Sequence, residues 1–321
     1  MGRRALITGG AGFIGSHVAR AFLDDGFEVE VLDNLSSGKR HQVPDGATFH
    51  QLDIASPDAA ARVREGRFDV VCHLAAQIDV RKSVADPADD ARANIIGSLN
   101  LLEAVRGSGA RTRFIFSSTG GAVYGDLVSP PTAEDAPKDP QSPYGIAKLS
   151  VEYYLGYYAR VHGLDTMALR YANVYGPRQD PHGEAGVVAI FCDHLIDGAP
   201  ITVFGDGRQT RDYVYAGDVA RANVLAAQAT LPAAAGVDSR AFNIGTSVET
   251  DVVQLASALM DVAGATTEVR HAPPRAGEQR RSAVSIGKAA RVLGWRPEVT
   301  LADGLRRTYD WFIARREQVR P

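Results

Sequence analysis

The sequence predicts an α/β fold: a Rossmann-type doubly wound parallel sheet with a second, smaller α/β lobe. Three observations predict it. Up to Tyr171, short apolar runs alternate with longer segments whose apolar residues recur every three or four positions. A glycine-rich turn, Gly9-Gly10-Ala11-Gly12-Phe13-Ile14-Gly15, stands directly between the first apolar run and the first such segment. After Gly176 the alternation gives way to short strands, turns and helices, the pattern of a separate lobe. The 321-residue length suits this division, because a chain of that size buries roughly 75% of its unfolded surface and needs no disulfide or metal to hold two cores.

Residues 4–8, 28–33, 48–52, 69–74, 113–118 and 166–171 read as parallel strands, and 14–25, 89–106 and 144–162 as helices. Prolines at 130, 131, 137, 140 and 143 exclude a helix or central strand from 129–143, which reads as an ordered loop near a site. Residues 229–236 read as a surface loop. The first domain is expected over 1–172, completed by parts of 212–245, and the second lobe over 173–321.

With 35 Lys+Arg against 38 Asp+Glu the chain lacks the basic field that a nucleic-acid partner requires. Cys72 and Cys192 are far apart and form no ligand cluster, which fits a reducing cytoplasm. The eight histidines show no ligand spacing, so no metal is expected. No apolar stretch approaches the ~20 residues of a membrane span, and the first strand begins too early to follow a signal peptide.

The glycine turn follows the first strand and opens the first helix. Gly9, Gly12 and Gly15 allow the tight turn, the approach of a pyrophosphate and close helix packing, while the helix N-terminus offers free N–H donors. Asp33, ending the second strand, is placed to accept from a ribose diol and to repel a 2′-phosphate, which favours NAD over NADP. Asp53 and Ile54, after the third strand, are candidates for the adenine edge. Leu74, Ala75 and Ala76 end the fourth strand with side chains compatible with a cofactor across the carboxyl edge of the sheet.

Tyr144 and Lys148 stand four residues apart on a predicted helix and so project from one face. An ammonium near a phenol favours the phenolate, so Tyr144 is expected to titrate below the usual ~10 and to act as a general base. Ser117, Ser118 and Thr119 end the fifth strand, on the sheet edge where doubly wound folds bind ligands. A hydroxyl there can relay a proton.

Together these elements resemble the extended short-chain dehydrogenase/reductase family. Three later segments sharpen the likeness: Arg170-Tyr171-Ala172-Asn173-Val174-Tyr175-Gly176-Pro177-Arg178, the stretch from Gly205-Asp206-Gly207 to Arg211-Asp212-Tyr213-Val214, and Arg275-Ala276-Gly277-Glu278. The chain looks like the branch acting on nucleotide-diphosphate sugars, closest to the UDP-glucose 4-epimerases and related UDP-hexose and UDP-uronate 4-epimerases.

The resemblance implies bound NAD, a UDP-sugar substrate and a homodimer formed through the helices at 89–106 and 144–162. Tyr144 would take the proton of the sugar 4-hydroxyl, Lys148 would hold the nicotinamide ribose, and Thr119, with Ser118 as its substitute, would relay the proton of the 4-oxygen. Phe13, Ile14, Asn34, Ser37, Gly38, Gln77, Asn94, Ser117 and Tyr171 join the implied cofactor contacts. Gly120, Asn173, Val188, Val203, Phe204, Arg211, Arg275, Glu278 and Ser282 are the implied substrate contacts, the arginines suiting the diphosphate. Sugar dehydratases carry an Asp-Glu pair after the Thr and the related decarboxylases a Glu; Gly120 and Gly121 stand there instead, favouring epimerisation. At 282 the family members strict for unmodified hexoses carry a bulky aromatic. Ser282 leaves room for an N-acetyl group or a larger C6 substituent. A non-catalytic dinucleotide sensor is the reading of another class, and the presence of both Tyr144 and Lys148 argues against it.

Overall fold

The computed structural model describes residues 2–126, 128–182, 186–274 and 279–319. In chain order the strands are β1 (Arg4–Thr8), β2 (Glu28–Asp33), β3 (Thr48–Gln51), β4 (Val70–His73), β5 (Arg113–Thr119), β6 (Asp165–Tyr171), β7 (Asn173–Tyr175), β8 (Ile201–Phe204), β9 (Thr210–Arg211), β10 (Tyr213–Tyr215), β11 (Ala241–Ile244), β12 (Thr250–Asp251) and β13 (Val269–Ala272). The helices are α1 (Phe13–Asp24), α2 (Pro57–Gly66), α3 (Val80–Ala85), α4 (Pro87–Ala91), α5 (Gly97–Ser108), α6 (Pro143–His162), α7 (Val187–Asp197), α8 (Ala216–Gln228), α9 (Val252–Ala263), α10 (Gly287–Val292) and α11 (Leu301–Val319).

Seven strands form one parallel sheet in the order β11-β6-β5-β4-β1-β2-β3. The chain starts at β1, winds outward to β3, then crosses back to β4, so its direction of travel reverses between β1 and β4. That reversal opens a crevice at the carboxyl edge, where such sheets bind ligands. Both faces are covered, which is why the strands read as nearly unbroken apolar runs. Ala5, Ile7, Val70 and Cys72 point into one core with α1 and α8, while Leu6, Val71, Phe114 and Phe116 point into the other with α2, α5 and α6. A third core, around Phe191, Ile201, Val203 and Leu255, gathers α7, α9 and α11 on the parallel pair β8 and β13.

Two differences from the sequence expectation bear on the site. The helix expected over 89–106 is α4, then a π-helical turn (Arg92–Ile96), then α5. The last strand of the sheet, β11, was not among the expected strands, and it pairs with β6 from far along the chain.

Candidate active site

The glycine turn lies flat against the end of β4. Gly9 holds φ at +70°, and a Cβ there would stand 2.7 Å from the Ala75 backbone nitrogen. A Cβ on Gly15 would overlap the Gly9 carbonyl oxygen, so only glycine lets the first turn of α1 close on the loop. Among the described residues no side chain caps the start of α1 and no acidic residue stands in its first turn. The N–H groups of Phe13 and Ile14 thus sit at an uncapped, positive helix end beside the crevice.

Asp33 is buried at the end of β2 and binds the turn to the loop that follows. Its carboxylate accepts from the Ala11 N–H at 3.0 Å and the Leu35 N–H at 2.8 Å. Gly38 passes so close that a Cβ would lie 2.8 Å from the Asp33 Oδ1. Asn34 and Ser37 are exposed on this loop. Asn34 Nδ2 donates to Asp53 Oδ2 at 2.8 Å, bringing those two expected residues together. Ile54 instead turns into the core below Gly97.

Leu74, Ala75, Ala76 and Gln77 continue the end of β4, half-buried. A one-way hydrogen-bond chain supports them. The Ala75 N–H donates to Thr8 Oγ1 at 3.2 Å, Thr8 meets His73 Nδ1 at 2.8 Å, His73 Nε2 meets Ser98 Oγ at 2.9 Å, and Ser98 donates to the Asn94 carbonyl. Since the Ser98 proton is committed, His73 must donate from Nε2 and accept at Nδ1. Burial pushes the His73 pKa down to about 3, with Lys148 adding to the effect, so the ring is neutral.

β5 and α6 bring the expected chemistry together. Strand alternation places Ser117 and Thr119 on one face and Ser118 on the other. Ser118 is buried and donates its hydroxyl to Glu152, so it serves the core and not the site. This corrects its expected role as substitute relay. Ser142 caps α6 by accepting from the Gly145 N–H at 3.2 Å, and Pro143 sits at the first turn, where its missing N–H costs nothing. Tyr144 is half-buried, and its backbone N–H donates to Ser83 Oγ on α3.

Lys148 is buried one turn later. Its Nζ donates to the Ser117 carbonyl at 2.8 Å and lies 5.8 Å from the centre of the Tyr144 ring. Burial pulls the Lys148 pKa down to about 8, with Asp90 and Glu152 opposing. The Tyr144 phenol is held above its ordinary value, first by burial and then by the Asp90 carboxylate. The lowering expected from the ammonium is therefore outweighed in the chain's own environment.

The remaining expected contacts divide. Gly120 is buried, gives its N–H to the Tyr171 carbonyl at 2.7 Å and lies under Val284, so it presents nothing to a ligand. The Tyr171 ring is core, its hydroxyl bonded to Asn223. Val188 and Val203 are fully buried in the third core. These positions are corrected from expected contacts to packing. Asn173 is exposed on β7, Phe204 half-buried at the end of β8, and Arg211 half-buried on β9. Ser282 is buried, its N–H donating to the Thr210 carbonyl at 3.2 Å. Arg275 and Glu278 lie outside the described residues.

The NAD dependent epimerase/dehydratase family model matches residues 5–245. The chain belongs to this family. It is 45% identical over 314 residues to the UDP-glucose 4-epimerase of Mycolicibacterium smegmatis, covering 96% of this chain and 98% of that one. The crystal structure of UDP-glucose 4-epimerase with UDP-glucose from Thermotoga maritima is similar with a TM-score of 0.92 and 48% identity, over 99% of this chain and 100% of that one. The UDP-N-acetylglucosamine 4-epimerase of Methanobrevibacter ruminantium, in complex with UDP-N-acetylmuramic acid, gives a TM-score of 0.90 at 32% identity, over 98% and 99% of the two chains.

Membership makes NAD the cofactor, and the residues present fit it. The uncapped helix end suits a pyrophosphate, and each Asp33 oxygen retains a second lone pair for a ribose hydroxyl. No helix among the described residues is long and apolar enough to cross a membrane.

Two parts of the site escaped sequence reasoning. The His73 chain had no motif, although Thr8 and Ser98 are polar residues inside apolar patterns. Asp90, buried near Tyr144 and Lys148, lay unremarked within the helix expected over 89–106.

Proposed function

We propose that the chain is an NAD-dependent 4-epimerase of UDP-hexoses. The observation that carries this reading is the meeting of Tyr144 and Lys148 with the Ser117 carbonyl at the end of β5, on the carboxyl edge of the sheet that also holds the glycine turn. Bound NAD would supply a hydride acceptor and donor for the sugar C4. Tyr144 takes the proton of the 4-hydroxyl and returns it after the sugar has turned about its phosphate linkage. Lys148 supplies the positive charge that stabilises the phenolate and a donor for the nicotinamide ribose. Thr119 holds the 4-oxygen. Gly9, Gly12, Gly15, Phe13 and Ile14 receive the pyrophosphate, with Asp33, Asn34, Ser37, Gly38 and Asp53 around the adenosine, and Leu74 to Gln77 and Asn94 along the β4 edge.

Residues 1–172, completed by parts of 212–245, form the NAD-binding domain in this reading, and 173–321 the UDP-sugar lobe. Arg211, Asn173, Phe204 and, in the segment outside the described residues, Arg275 and Glu278 hold the nucleotide. Glycines at 120 and 121 put no acid where dehydration or decarboxylation would need one.

Ser282 leaves the sugar pocket open, so UDP-glucuronate and UDP-N-acetylglucosamine join UDP-glucose as substrates. The complex of the Methanobrevibacter relative with a UDP-N-acetyl sugar supports this breadth. Product analysis of the purified protein on all three sugars, without added NAD, tests it; turnover of UDP-glucose alone would sink the open pocket.

A homodimer is part of the same reading. Val80 and Val84 of α3, Ile96 of the π-turn, and Ile146, Tyr153 and Tyr157 of α6 are exposed on adjoining elements, an apolar surface suited to a second copy. Both cysteines are free and buried, in keeping with a cytoplasmic enzyme. Mass measurement in solution tests the dimer.

A further inference from the structure

Asp90 is 1% exposed, and among the described residues its Oδ2 has no hydrogen-bond partner. Its Oδ1 accepts from Gln77 Nε2 and from Asn94 Nδ2, each at 3.0 Å. Asn94 closes the cluster through Gln77, accepting the Gln77 N–H and donating to the Gln77 carbonyl, both at 2.9 Å. The end of β4, α4 and the π-helical turn are thereby locked together. α4 packs against α6, and α3 meets the start of α6 where Ser83 takes the Tyr144 N–H.

A buried carboxylate with one bare oxygen and only neutral donors is costly to the fold. The packing alone does not require it. An asparagine at 90 would keep both amide hydrogen bonds through its own Oδ1, since Oδ2 has no bond to lose. What only aspartate adds is a negative charge, buried on α4 where that helix packs against α6, the helix that carries Tyr144 and Lys148.

We propose that Asp90 is a positioning residue for the Tyr144–Lys148 pair: its carboxylate is the counter-charge that keeps Lys148 an ammonium and sets how tightly Tyr144 holds its proton. This rests on the reading of Tyr144 as the acid and base. The surrounding charges leave Asp90 this role. Glu152 on α6 also acts on Lys148, but its carboxylate is answered by Arg170, whereas Asp90 has no cation of its own among the described residues. His73 on β4 is neutral. Lys82 on α3 pairs with Asp89 on α4 at 3.2 Å, and Arg81 with Asp79 at 3.8 Å, all toward solvent. Arg92 of the π-turn is exposed, and Ser117 and Thr119 on β5 carry no charge.

Tyr144 and Lys148 are coupled, so their two titration steps belong to the pair. Removing a neighbouring negative charge moves both steps to lower pH, whichever group loses its proton first.

The test is the pH profile of kcat for the NAD-loaded enzyme and for Asp90→Asn and Asp90→Glu, beside a titration of phenolate absorbance corrected by Tyr144→Phe. Asp90→Asn is expected to shift both limbs and the phenolate midpoint down by roughly one pH unit, and Asp90→Glu to restore them. A profile for Asp90→Asn that superposes on the wild type, or an equal shift in Asp90→Glu, overturns the proposal. If Asp90→Asn does not fold, Asp90→Ser carries the same charge loss and must give the same shift, and its absence overturns the proposal equally. Should the wild type epimerise no UDP-sugar, the functional reading fails, and the phenolate titration still decides the role of Asp90 by the same shift or its absence.

Discussion

Glu152 on α6 and Asp90 on α4, which packs against it, are both buried carboxylates, and the protein treats them in opposite ways. Glu152 follows Tyr144 and Lys148 at four-residue spacing on the same helical stripe. It is saturated: Arg170 reaches it through Nε and Nη2, Ser118 donates to it, and Arg170 goes on to Asp238 at 2.8 Å and to the Tyr124 hydroxyl at 2.9 Å. Burial works against the Arg170 charge, yet Glu152 holds it well above its ordinary value. Asp90 has two amides and a bare oxygen. A charge answered by a full set of partners fastens β5, β6 and α6 to one another. A charge left half-answered keeps its field for its neighbours, Tyr144 and Lys148. The site stands between the two.

The sharpest way to break this contrast is at the phenol. Tyr144→Phe is expected to lower epimerisation by about 10³-fold, the range of a positioned acid and base, while leaving the unfolding midpoint in place. A comparable fall in stability would move Tyr144 to the fastening side.

Arg170→Met should do the reverse. It strands Glu152 and Asp238 without their cation, and the unfolding free energy measured by denaturant should fall by about 3–5 kcal/mol.

Lys148 sharpens the contrast through pH. Its pKa in the folded chain is about 8 against an ordinary 10.5, chiefly from burial. Between those values the unfolded chain binds more protons, so this group's contribution makes stability rise with pH across the window, and its penalty is complete below it. Lys148→Met should therefore stabilise the cofactor-free protein at pH 7 by up to about 3 kcal/mol while abolishing turnover. A loss of stability would show that the ammonium fastens the fold. The smallest effect is expected at the half-exposed pair of Lys39 and Asp180, 2.6 Å apart. Lys39→Ala should cost under about 1 kcal/mol, and less at high salt.

The sheet was legible because β1, β2, β4, β5 and β6 are buried on both faces and α1 and α6 have clear helical spacing. The break of 89–106 into α4, a π-turn and α5 was not, since one inserted residue hardly disturbs an apolar stripe. β11 is four residues long with Asn243 among them, and only its pairing with β6 identifies it. Within the site, the glycine turn, Asp33, Tyr144 and Lys148 were readable because local geometry forces their neighbours. Ser118 was misread although the period of two in β5 already sends it away from Ser117 and Thr119. Val188, Val203 and the Tyr171 ring were placed by likeness to the family, which does not say which way a side chain turns. Asp90 was invisible because its meaning lies in the partners it lacks.

The central claim is that Tyr144 moves the proton while the C4 hydrogen leaves and returns within the enzyme. Epimerisation of UDP-glucose in deuterated water, followed by NMR of the product, tests it most directly. The expected result is UDP-galactose with protium retained at C4. Deuterium at C4 would contradict the account, because the hydrogen would then have exchanged with solvent as a proton.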